Sequence, residues 1–80
     1  MIIEEEKLTK AFGKVLKRLR DSQGLSQESL AFSIGSHFTH ISRLENGHKQ
    51  PTLNMIYKLA EALKISVPNL VTELDIEIKK

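Results

Sequence analysis

Leu25-Ser26-Gln27-Glu28-Ser29-Leu30-Ala31-Phe32-Ser33-Ile34-Gly35-Ser36-His37-Phe38-Thr39-His40-Ile41-Ser42-Arg43-Leu44-Glu45-Asn46-Gly47 is the stretch that decides the fold. Ser26 can accept a backbone N–H bond and so cap a helix, with Leu25 and Leu30 placed for a hydrophobic staple across its first turn. Leu30, Ala31 and Ile34 form one apolar stripe, which stops at Gly35-Ser36, where glycine tolerates a positive φ. Ser36 or His37 can cap a second short helix, whose inward residues are Ile41 and Leu44 and whose end is Asn46-Gly47. Neither helix can bury much alone. They must pack at an angle against each other and against whatever flanks them, and the small Ala31 allows that approach.

The flanks supply the rest of an all-α domain. Upstream, Leu8, Ala11, Phe12, Val15, Leu16 and Leu19 recur at three- and four-residue steps, so residues 8–19 predict an amphipathic helix ended near Gly24. Acidic Glu4, Glu5 and Glu6 suit its positive N-terminal end. Downstream, Thr52 caps a fourth helix with the stripe Leu53, Ile56, Leu59, Ala60 and Leu63. Ser66 starts a fifth, with Pro68 in its first turn and Val67, Leu70, Val71 and Leu74 on its apolar side. Past Leu74 the pattern is open: Leu74, Ile76 and Ile78 alternate as in a strand, while Leu74 and Ile78 also continue the helical stripe. Residues 1–80 thus predict one five-helix domain, with the paired short helices at about 26–46.

Composition restricts the function classes. Eighty residues, 40% of them hydrophobic, suffice for one core. No apolar run is long enough to span a membrane, and the acidic N-terminus does not resemble a secretory signal. The absence of cysteine removes disulfides and thiolate metal sites, which fits a cytoplasmic protein. A net charge of +2 is a weak argument for a polyanionic partner. More informative is the distribution: Lys7, Lys10, Lys14, Lys17, Arg18 and Arg20 precede the first acidic residue of that region, Asp21.

Two short helices with Leu30-Ala31, Ile34-Gly35 and Ile41-Leu44 at these spacings match a helix-turn-helix. Leu25-Ser26-Gln27-Glu28-Ser29-Leu30-Ala31, Ile41-Ser42-Arg43-Leu44-Glu45-Asn46-Gly47 and Pro51-Thr52-Leu53 together resemble the Xre or phage-repressor family over about residues 8–74. The resemblance implies a compact λ-repressor-like domain that regulates transcription by binding double-stranded DNA, with its third helix in the major groove. The positions it assigns to base reading are His37, Phe38, Thr39, Ser42 and Arg43. Arg43 suits a guanine edge and Phe38 a thymine methyl group, although the family more often has a polar residue at position 38. Phosphate contacts are expected from Gln27, Asn46, Lys49 and Gln50, which would fix register without reading sequence. Arg20 and Glu45 are placed by the resemblance as a structural ion pair between the first and third helices. Short relatives of this kind include restriction-modification controller proteins, small phage repressors and antitoxins. The last is an alternative function: masking a protein partner, with DNA binding serving autoregulation.

Other readings of these residues are weaker. His37 and His40 lie three apart with His48 beyond the helix end, which gives no complete metal site, and no cofactor is expected. Ser26, Ser36 and Thr52 are caps rather than nucleophiles, so no catalytic group is expected. The lysine stripe reads as a solvated face. The apolar side of residues 66–80 exceeds what one small core consumes, so Val71, Leu74, Ile76 and Ile78, with Ile2 and Ile3 assisting, are expected at a homodimer interface. Two-fold association would set the recognition helices about 34 Å apart, one turn of DNA, and demand an inverted-repeat operator.

Overall fold

A computed structural model describes residues 3–80, as five α-helices without a strand among the described residues: α1 (Glu5–Ser22), α2 (Gln27–Ser33), α3 (Phe38–Glu45), α4 (Leu53–Ala62) and α5 (Val67–Ile78). The first helix exceeds its apolar pattern at both ends, because Glu5 and Glu6 occupy its first turn, where the helix dipole favours anions. Caps follow the sequence reading closely. Ser26, Thr52 and Ser66 accept the N–H groups of Ser29, Met55 and Asn69. Of the two candidates for α3, His37 is the cap, its Nδ1 accepting from the Thr39 N–H at 3.2 Å, while the Ser36 hydroxyl lies 3.0 Å from His40 Nδ1.

Helices α1 to α4 end in the same local device. In each, a residue in the left-handed region donates its N–H three residues back and the next residue donates five back, satisfying two carbonyls that the helix leaves open. In the turn that joins α2 to α3, Gly35 has φ +68 and Ser36 N–H reaches the Ala31 carbonyl at 2.8 Å. After α4 the same post is held by Lys64, at φ 56, a conformation that costs a side-chain-bearing residue about 1 kcal/mol. No glycine marks that turn in the sequence.

Leu16, Leu30, Ile41, Leu44, Leu59, Leu63, Leu70 and Val15 are fully buried at the centre, where all five helices contribute. Helix α1 packs on α3 and α5, and α2 packs on α3 and α4. Helices α1 and α3 approach closely at Gly13. A Cβ there would lie 2.5 Å from the Leu44 carbonyl oxygen and 2.6 Å from that of Glu45, so only glycine lets α1 cross the end of α3 at this depth.

Two expectations are corrected. Leu53 was expected on the apolar stripe of the fourth helix, but it is 71% exposed. It sits at the first position of α4, beyond the edge of the core that Leu59, Ala60 and Leu63 fill. Ile78 was expected at a dimer interface, but it is 6% exposed within the single chain. The reason is that α5 remains helical through Ile78, which extends the stripe of Leu70 and Leu74 by one more turn. Leu74 is half-buried against the core, Val71 is exposed on the same flank of α5, and Ile76 is exposed on the far side. Ile2 lies outside the described residues. Ile3 is exposed and, with Leu8, Val71 and Leu74, borders a shallow depression.

Candidate nucleic-acid interface

What sets the attitude of α3 is a polar anchor at its C-terminal end. Glu45 has a side chain only 2% exposed, and it accepts Arg20 Nε at 2.6 Å on Oε2 and Arg20 Nη2 at 3.0 Å on Oε1. Arg20 Nη1 goes to the Leu25 carbonyl at 2.7 Å, and Gln27 Nε2 donates to Glu45 Oε1 at 3.0 Å. The last turn of α1, the linker before α2, the start of α2 and the end of α3 are therefore tied together by one ion pair. Its hydrogen bond with Glu45 holds the Arg20 guanidinium above its ordinary pKa, against the opposing effect of burial. A buried pair is stable only when its polar atoms are satisfied, and no buried side-chain nitrogen or oxygen among the described residues lacks a partner.

With Ile41 and Leu44 buried, the opposite face of α3 points away from the protein. It carries Thr39, Ser42 and Arg43; Phe38, three residues before Ile41, lies at its margin, and His37 is at its N-terminal tip. Thr39 and Arg43 are exposed, and Arg43 takes part in no ion pair among the described residues. Ser42 is half-buried and its hydroxyl accepts from Asn46 Nδ2 at 3.4 Å. Phe38 is 43% exposed, and its ring tilts against the His37 imidazole with centroids 4.7 Å apart. Of the five residues expected to read bases, His37, Phe38, Thr39 and Arg43 are exposed and Ser42 is half-buried.

The four expected phosphate contacts flank that surface. Gln27 is half-buried and spends one amide N–H on Glu45, which leaves its second N–H and its Oε1 oriented for another partner. Asn46 and Gln50 are exposed, and Gln50 Nε2 donates to Glu5 Oε1 at 3.4 Å. Lys49 is half-buried and approaches His40 from the loop, while Arg43 approaches from α3. Burial of the imidazole, followed by these two positive charges, lowers the His40 pKa from the ordinary histidine value. On α1, Lys10 pairs with Glu6 at 2.9 Å and Arg18 with Glu73 at 2.6 Å, so part of the basic stripe is neutralised within the chain.

Sequence reasoning did not single out Phe32, which is 87% exposed on α2. The signal was present, because the stripe Leu30, Ala31 and Ile34 leaves position 32 on the outward side. The bond from Gln27 to Glu45 joins residues 18 apart in sequence and had no comparable signal.

A model of the helix-turn-helix family matches residues 16–70. An uncharacterised helix-turn-helix-type transcriptional regulator, y4dJ of Sinorhizobium fredii, is 38% identical over 68 residues, covering 85% of this chain and 88% of its own. Among solved structures, the restriction-modification controller protein C.AhdI of Aeromonas hydrophila superposes with a TM-score of 0.73 at 41% identity, over 79% of this chain and 94% of its own. The controller protein C.Esp1396I, solved as a tetramer on its natural 35 base-pair operator, superposes with a TM-score of 0.83 at 28% identity, over 96% of this chain and all of its own. The five helices, the polar anchor beneath α3 and these likenesses agree: the chain belongs to the Xre-type helix-turn-helix family.

Proposed function

We propose that this protein is a sequence-specific DNA-binding transcriptional regulator, of the controller or phage-repressor kind, which binds an inverted-repeat operator as a homodimer in the cytoplasm and acts by binding alone. The observation that carries this reading is the outer face of α3: an exposed Arg43, without an ion-pair partner among the described residues, beside Phe38, Thr39 and Ser42, on a helix fixed from below by a buried ion pair. Such a face can enter the major groove without reorganisation. Arg43 then donates two hydrogen bonds to guanine O6 and N7, a contact worth about 1–3 kcal/mol of discrimination, while Phe38 covers a thymine methyl group. Gln27, Asn46, Lys49 and Gln50 hold phosphates on either side and make affinity steeply dependent on salt.

Exposed Val71 on α5, with half-buried Leu74 and neighbouring Ile3, provides the apolar surface for two-fold association, and Ile76 adds a second exposed apolar side chain on the far side of the helix. The test is selection of bound sequences from a random duplex pool, followed by sedimentation of the protein with the enriched duplex. An inverted repeat with half-sites about ten base pairs apart, carrying two chains, is the expected result. Failure to enrich any sequence would remove the operator-reading function.

A further inference from the structure

We infer that His37 reads DNA in one tautomer only, with its proton on Nε2, and that it selects a purine N7 at its base pair. This rests on the operator-reading function proposed above. The starting point is the cap of α3. The Thr39 backbone N–H donates to His37 Nδ1 at 3.2 Å, and the Thr39 hydroxyl lies 2.6 Å from the same atom. A backbone amide can only donate, so Nδ1 must offer a lone pair, and the single proton of a neutral imidazole is then on Nε2. The helix enforces this choice, because a proton on Nδ1 would oppose the Thr39 N–H and leave it without an acceptor.

The consequence for recognition is specific. Histidine is often ambiguous in a groove, since either ring nitrogen can donate or accept according to tautomer. Here the ambiguity is gone. The ring is also held in place on its other side by Phe38, which limits its rotation away from α3. His37 is exposed, and its free edge carries one N–H donor and no acceptor. Of the acceptors in the major groove, N7 is shared by adenine and guanine and lies on the purine edge nearest its own strand, within reach of a short side chain at the start of the helix. At the corresponding place a pyrimidine presents C5, which carries a hydrogen in cytosine and a methyl group in thymine and accepts no hydrogen bond in either. His37 therefore supplies a purine-versus-pyrimidine preference that differs from the guanine preference of Arg43 one turn and a half further along α3.

Two measurements test this. Two-bond nitrogen-15 correlation spectra of the free protein report the tautomer directly: a protonated Nε2 and an unprotonated Nδ1 are expected for His37, and the reverse pattern would overturn the inference without touching the operator-reading function. The second uses the duplex enriched by the wild-type protein, with each purine replaced in turn by its 7-deaza analogue. Wild type should lose roughly 3- to 10-fold in affinity at one purine per half-site that His37→Ser ignores, as expected for a single hydrogen bond. Serine caps the helix as well as any residue, so the variant should melt like wild type while its preference at that base pair relaxes to either purine or pyrimidine. Identical losses for wild type and His37→Ser at every 7-deaza position would overturn the contact. If the wild-type protein enriches no sequence at all, the operator-reading function falls, and this inference with it.

Discussion

Replacing Gly13 with alanine sets two opposing effects against each other. Gly13 is in the interior of α1, where alanine is favoured over glycine by about 1 kcal/mol. Against this, the new Cβ would lie 2.5 and 2.6 Å from two backbone oxygens of α3, and relief requires separating the helices by about 0.9 Å to restore ordinary contact. Overpacking of this kind costs about 1–3 kcal/mol, and backbone atoms cannot turn aside as a flexible side chain would. The same displacement pulls Glu45 away from Arg20, whose Nε–Oε2 distance of 2.6 Å leaves no slack in a nearly buried pair. Complete rupture of such a pair costs about 3–5 kcal/mol, so a partial loss adds about a third of that. The balance is a net destabilisation of about 2–3 kcal/mol, which in a domain of this size lowers the melting temperature by about 10–20 °C. Thermal unfolding followed by circular dichroism measures it, with exposed Lys14→Ala as the neighbouring control, expected within about 0.5 kcal/mol of wild type. An alanine variant that melts at or above the wild-type temperature would refute the close crossing.

Other outcomes follow from the same geometry. Arg43→Ala should abolish preference at one base pair, whereas Lys49→Ala should weaken all sequences alike and reduce the slope of log affinity against log salt by about one; competition binding across salt concentrations separates them. Lys64→Gly should raise stability by about 1 kcal/mol by relieving the left-handed conformation, and an unchanged denaturation midpoint would contradict that account. Because the folded protein lowers the His40 pKa, the unfolded chain takes up a proton more readily there. Stability should therefore fall as pH drops through the ordinary histidine range, and urea titrations at several pH values should show a smaller fall for His40→Gln.

The five helices were legible because their signals are local. Ser26, Thr52 and Ser66 cap, Gly24, Gly35 and Gly47 end, and the stripes between them have one period. The outer face of α3 was legible for the same reason, since burying Ile41 and Leu44 dictates which residues remain outside. What was not legible depends on distant partners or on broken rules. Gly13 looks like a weak helix position until the carbonyls of α3 are seen against it. Lys64 adopts a conformation its side chain disfavours, so no residue type announces the turn. Ile78 could be assigned to either of two patterns, and only its packing within the chain decides between them. Leu53 fits the stripe by spacing but lies past the end of the core.

The division of labour within α3 bears on how such a protein could be retargeted. Ile41, Leu44 and Glu45 hold the helix to the body, and none of them reaches the outer face. Among the described residues the side chains of Phe38 and Arg43 make no hydrogen bond to the body of the domain, and the Thr39 hydroxyl meets only His37. A library randomised at those three positions should therefore yield folded proteins with new operators at high frequency, as a key blade can be recut without altering the bow. Position 37 is different, because one ring nitrogen serves the scaffold while the other is free to serve the DNA. Only residues that cap a helix are admissible there, so under the contact inferred above fewer half-sites are open at that base pair than at those read by freely exchangeable side chains.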